Sequence, residues 1–102
     1  MSDIKEAQKA LVSRILAGDG NASPSMRRAA FNNSNLPEPL DLLVNKVAMH
    51  AHTVTDDDIN AAKRSGLNED QVFEIVVCAA IGQATRQYDA AIANLEIVTK
   101  KD

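Results

Sequence analysis

The sequence predicts an all-α fold: one small domain of about five helices built around a long apolar C-terminal helix. Three observations carry this. Residues 55–71 contain two helix start signals of the same kind, separated by Gly66. The second opens a run, Val72-Phe73-Glu74-Ile75-Val76-Val77-Cys78-Ala79-Ala80-Ile81-Gly82, that is apolar nearly all round. Its pattern continues through Ala84, Tyr88, Ala91, Ile92 and Leu95 without a turn signal, which is too long for a buried strand. Nothing else along the chain calls for a strand.

In chain order, Asp3 to about Ala17 reads as the first helix, with Ile4, Ala7, Leu11 and Ile15 at spacings of three and four. Asp3 and Glu6 suggest its capping box, and Gly18 and Gly20 stop it. Ser23 as N-cap and Pro24 at the first helical position open a short helix carrying Met26, Ala29, Ala30 and Phe31. The polar run Asn32 to Asn35 breaks it. After Leu36-Pro37-Glu38-Pro39, a third helix places Leu40, Leu43, Val44, Val47 and Ala51 on one face and ends near His52 or Thr53.

Thr55 and Asp58 then form a capping box, with Val54 and Ile59 as its hydrophobic staple. Asp56, Asp57 and Asp58 fill a first turn where the helix dipole favours negative charge. Gly66 supplies the left-handed stop. Asn68 with Gln71, and Leu67 with Val72, repeat the box and staple for the last helix. A last helix of roughly 30 residues spans about 45 Å. That exceeds the width of a compact domain of this size, whose expected radius of gyration is about 13 Å. The helix therefore either projects from its subunit or is covered by another.

The chain of 102 residues makes one domain, with residues 1–35 as N-terminal helices and loop and residues 36–98 as the helical core. Hydrophobic residues make up 45% and aromatic residues 3%, so the core is built from Leu, Ile, Val, Ala and Met. A domain this small buries only about 60–65% of its unfolded surface, which together with the apolar helix predicts a homo-oligomer. A net charge of −3 with no long basic run disfavours nucleic acid. No apolar run is long enough to span a bilayer, and the start Met-Ser-Asp-Ile-Lys-Glu lacks signal-peptide features. Cys78 is the only cysteine, which excludes an intrachain disulfide and a cysteine metal cluster. A cytoplasmic protein without metal or cofactor is expected.

Four groups could carry chemistry. His50 and His52 are the only histidines and the only neutral-pH acid/base candidates. They read either as a general base near the turn into Thr55 or as helix-end residues interacting with the dipole. The triple aspartate is accounted for by capping and lacks the calcium-loop pattern. Cys78 lies in an apolar run, the opposite of a thiolate-favouring setting. Gln83, Arg86 and Gln87, with Thr85 and Asp89, interrupt the apolar helix. They read either as hydrogen bonding at an interface, including an Arg86–Asp89 pair, or as a substrate-binding polar floor in which Arg86 receives a carboxylate.

The blocks Val54 to Ile59, Gly66 to Glu74 and Val76 to Gly82 resemble the alkylhydroperoxidase-D-like and carboxymuconolactone decarboxylase superfamily over roughly residues 40–95. The resemblance implies an all-α fold, trimers or hexamers built around the long helix, and sites near subunit contacts. The peroxidase branch carries C-x-x-C-x-x-x-H before the helix that ends at this glycine. Those positions fall on Ala51, Val54 and Asp58 here, so the dithiol peroxidase chemistry is not expected. The expectation is a homo-oligomeric member without the dithiol, binding a small organic molecule between helices. Any turnover would be acid/base chemistry through His50 or His52, with Arg86 holding a carboxylate. The rivals are a non-catalytic oligomeric interaction protein and, third, a thiol-dependent peroxidase using Cys78.

Overall fold

A computed structural model describes residues 2–100. Five helices follow one another: α1 (Ser2–Ala17), α2 (Pro24–Asn32), α3 (Leu40–Met49), α4 (Asp56–Arg64) and α5 (Glu69–Lys100). A single 3-10 turn, Ala51–Thr53, joins α3 to the α4 cap, and no strand occurs among the described residues.

The start signals act as the sequence implies. Ser23 Oγ accepts from Met26 N at 3.2 Å and Pro24 begins α2. Thr55 and Asp58 form the reciprocal box, Thr55 N to Asp58 Oδ2 at 2.9 Å and Asp58 N to Thr55 Oγ1 at 3.3 Å. Asn68 and Gln71 do the same at 2.9 and 2.8 Å. Gly66 sits at φ 113°, which an L side chain rarely adopts.

Two boundaries differ from expectation. Helix α1 already includes Ser2, so Asp3 lies in its first turn rather than at a cap. Helix α3 stops at Met49, where His50 takes φ −149° and donates its N–H to Lys46 O at 2.7 Å. The segment expected to finish that helix is the 3-10 turn, closed by Thr53 N and Oγ1 on His50 O.

The core is where α5 meets α2, α3 and α4. Ala30, Val44, Ile75, Cys78 and Ala79 form one buried group, and Leu40, Leu43, Ala62 and Val72 a second. Met26, Leu36, Val47 and Leu67 pack against both, so the two are continuous. Burying a side chain such as Leu43 or Ile75 is worth about 1.5–3 kcal/mol. The α2–α5 crossing is close because Gly82 lies against the Phe31 backbone; a Cβ there would stand 2.7 Å from the Phe31 carbonyl carbon.

Helix α5 is not buried all round. Val72, Ile75, Cys78, Ala79 and Gly82 face the core, while Phe73 is 67% exposed. The helix is apolar on two sides, of which the rest of this chain covers one. The far end of α5 projects, and the molecule measures 54 × 29 × 20 Å with a radius of gyration of 15.5 Å. That exceeds the about 13 Å of a compact chain of this length. No described helix is long and apolar enough to cross a membrane.

Candidate functional site

The most organised polar cluster sits where the α1–α2 loop meets α5. Helix α1 ends at Ala17, leaving carbonyls without helical partners. Arg27, one turn into α2, reaches back to them. Its Nη1 donates to Ile15 O at 3.0 Å and to Gly18 O at 2.8 Å. From the other side Glu74 of α5 accepts the N–H groups of Asn21 and Ala22, each at 2.8 Å. Gly20 lies between the two charges: a side chain there would collide with the Glu74 carboxylate and approach Arg27 Nη1. The loop is thus held by a cation on its carbonyls and an anion on its amides. Charge-assisted bonds of this kind are roughly twice as strong as neutral ones.

Beside this cluster runs a cleft of about 170 Å³ between α1, α2 and α5. Ile15, Phe73, Val77 and Cys78 give it apolar walls, Arg27 and Glu74 line it as well, and the exposed Arg14 and Asp19 complete it. Arg27 is only 5% exposed, and its Nε has no hydrogen-bond partner among the described residues. Cys78 is buried, with Sγ 4.0 Å from Ile15 O. Burial pushes the thiol's pKa up, the Arg27 charge pulls it down and the Glu74 charge raises it. The net shift is upward, so the sulfur stays a thiol at neutral pH and is a poor nucleophile.

The residues anticipated as a site are placed differently. His50 and His52 are exposed on the α3–α4 connection, their rings 6.4 Å apart and nearly perpendicular. Neither imidazole has a hydrogen-bond partner among the described residues. Neither lines a described cleft or shares one with Arg86.

Arg86 is a clamp between helices. Its Nη1 donates to Phe31 O at 2.6 Å, in the last turn of α2, and its Nη2 to Gln83 Oε1 at 3.0 Å. The expected Arg86–Asp89 pair is not formed; Asp89 accepts instead from Gln8 Nε2 of α1 at 3.5 Å. Gln87 is exposed and unpartnered among the described residues. Gln83, Arg86 and Gln87 therefore do not make the floor of a described cleft.

Lys46 Nζ and Asp58 form an ion pair at 2.9 Å that ties α3 to the α4 cap. The Lys46 hydrogen bond, and then the Thr55 backbone N–H, lower the Asp58 pKa.

Arg27 and Glu74 were not singled out from the sequence. Glu74 had a readable signal, being the one charged residue within Val72–Gly82. Arg27 had none, since its role depends on where the α1 carbonyls come to rest. Comparison with protein-family models, with curated proteins and with solved structures finds no match.

Proposed function

We propose that this chain is an alkylhydroperoxidase-D-like, carboxymuconolactone-decarboxylase-like protein without the dithiol peroxidase site. It works as a homo-oligomer in the cytoplasm and binds a small organic molecule between its helices. The seat is the α1–α2–α5 cleft rather than the polar group around Arg86. One observation carries this reading: a nearly buried Arg27, with an N–H donor lacking a partner, in the wall of an otherwise largely apolar cleft.

A buried donor left unpaired costs about 1–3 kcal/mol. Arg27 Nε is closed off from solvent, so a ligand oxygen reaches it only with a small shift of the cleft wall; accepting from it then removes that cost, and an apolar ligand body suits Ile15, Phe73 and Val77. The volume matches a single small ring, since a cavity of about 150 Å³ accommodates benzene. The ligand class is thus a compact apolar carboxylate or carbonyl compound. The exposed positions of His50 and His52, away from this cleft, favour binding over acid/base turnover. The raised pKa of Cys78 speaks against a peroxidatic thiol. A lone cysteine kept reduced suits the cytoplasm.

The test is a titration of isotope-labelled protein with benzoate and, in parallel, benzamide, following backbone amide resonances. Saturable shifts centred on Ile15, Arg27, Phe73, Val77 and Cys78 are expected. No saturable shift, or shifts centred on Gln83 and Gln87, would overturn the assignment of the cleft.

A further inference from the structure

Helix α5 carries a second seam, opposite the one that packs on the core. At 3.6 residues per turn, Val72, Ile75, Ala79 and Gly82 lie on the buried side. Steps of four and three from Phe73 reach Val77, Ala80, Ala84, Gln87, Ala91, Asn94 and Val98 on the other. No residue of this seam is charged. All but the half-buried Val77 are exposed, Phe73 at 67% and Val98 at 60%. Leu95, beside the seam, is 54% exposed.

We propose that a second copy of this chain covers the seam, with the two α5 helices antiparallel about a twofold axis between Ala84 and Gln87. This deepens, and rests on, the homo-oligomer reading above. Spacing and charge support it.

The seam is palindromic in spacing. An antiparallel pair sets Phe73 against Val98 of the partner subunit, Val77 against Asn94 of the partner subunit, and Ala80 against Ala91 of the partner subunit. The large apolar side chains fall at the ends, and Ala80, Ala84 and Ala91 lie towards the middle, with Gln87 as the one long side chain beside the axis. A contact made by the same patch on both copies is self-complementary and closes as a pair.

Charge selects the direction. The first turn of α5 carries Glu69 and Asp70. A parallel pair would bring both copies' carboxylates and both positive helix ends together, whereas the antiparallel pair separates them by the helix length. The area is modest. The seam from Phe73 to Val98 is about 39 Å long, and a face about 10 Å wide then buries roughly 400 Å² per copy. The total of about 800 Å² is that of a small, weakly held contact.

The pairing also completes the cleft. Phe73 and Val77 line the Cys78 cleft on one side and belong to the seam on the other. Val98 of the partner subunit would therefore lie against the residues at its mouth.

Sedimentation of the full chain tests the proposal. The expected result is twice the 11.0 kDa chain mass, or a larger even-numbered assembly. Ala84→Glu, on the seam at the axis, weakens the twofold contact by at least about a hundredfold, because like charges meet there. Ala93→Glu, on the opposite side of the exposed end, leaves it intact. Circular dichroism should show both variants as helical as the parent. Direction is read by mixing Ala80→Cys chains with tagged Ala91→Cys chains under oxidation: a mixed disulfide forms, and Ala80→Cys alone does not cross-link. A trimer, or a dimer that survives Ala84→Glu, overturns the seam and leaves the homo-oligomer reading standing. A wild-type monomer overturns both.

Discussion

Replacing Gly82 with alanine should destabilise the protein, although alanine is the better helix former. In an exposed helix the exchange gains about 1 kcal/mol. Here the added Cβ would meet the Phe31 carbonyl oxygen and stand 2.7 Å from its carbon and 2.9 Å from the Phe31 Cα. These are backbone atoms of α2, so no side chain can turn aside and the two helices must separate. Overpacking of this kind costs about 1–3 kcal/mol. Separation also stretches the Arg86 Nη1 bond to Phe31 O, now 2.6 Å, and a bond to a charged donor contributes about 1.5–3 kcal/mol. With the helix-propensity gain set against these, the expected net loss is about 1.5–5 kcal/mol. Urea unfolding measures it: the midpoint should fall while the slope stays constant, as for a change in stability without a change in the exposed surface. A midpoint equal to or above the wild type would refute the close α2–α5 crossing. Gly66→Ala is the comparison, because its cost comes from φ 113° with nothing within 4 Å of the added Cβ. It should lose about 1–2 kcal/mol through backbone strain alone.

Other consequences can be checked in the same assay. Arg27→Met removes a nearly buried donor from Ile15 O and Gly18 O and should cost about 2–4 kcal/mol, with the loop amides of Asn21 and Ala22 exchanging faster. Glu74→Gln keeps the size and one acceptor oxygen and should cost about 1–2 kcal/mol. Because the Asp58 pKa is lowered in the folded state, its contribution is present above the unfolded value of about 3.9 and is lost as pH falls through the folded one. Lys46→Met should therefore lower the urea midpoint slightly at neutral pH. The gap to wild type should close in acid; a gap that persists in acid would contradict the ion pair as its cause.

Local chemistry made much of the fold legible. Ser23-Pro24, Thr55 with Asp58, and Asn68 with Gln71 each satisfy their own helix starts, so their partners lie three residues away and can be read along the chain. The end of α3 was less readable, because the tight turn after His50 is set by carbonyl partners rather than by a stop residue. The cleft was least legible. Arg27 acts on Ile15 and Gly18, and Glu74 acts on a loop more than fifty residues away in sequence. Their meaning appears only once α1, α2 and α5 are packed. Arg86 shows the converse: its polarity within an apolar helix was visible, but its target, the Phe31 carbonyl, is a product of the α2–α5 crossing. The apolar character of α5 nearly all round was visible too, and the structure separates it into a face on the core and an exposed face.

The central claim is that the cleft beside Arg27 seats a small molecule and that Cys78 is part of its wall, not a redox centre. The rate of Cys78 alkylation by iodoacetamide in the native protein, against the same protein in denaturant, tests it most directly. A buried thiol with a raised pKa should react far more slowly than in the unfolded chain, and more slowly again in saturating benzoate. A native rate equal to or above the unfolded rate would place a reachable thiolate in the cleft and contradict the account.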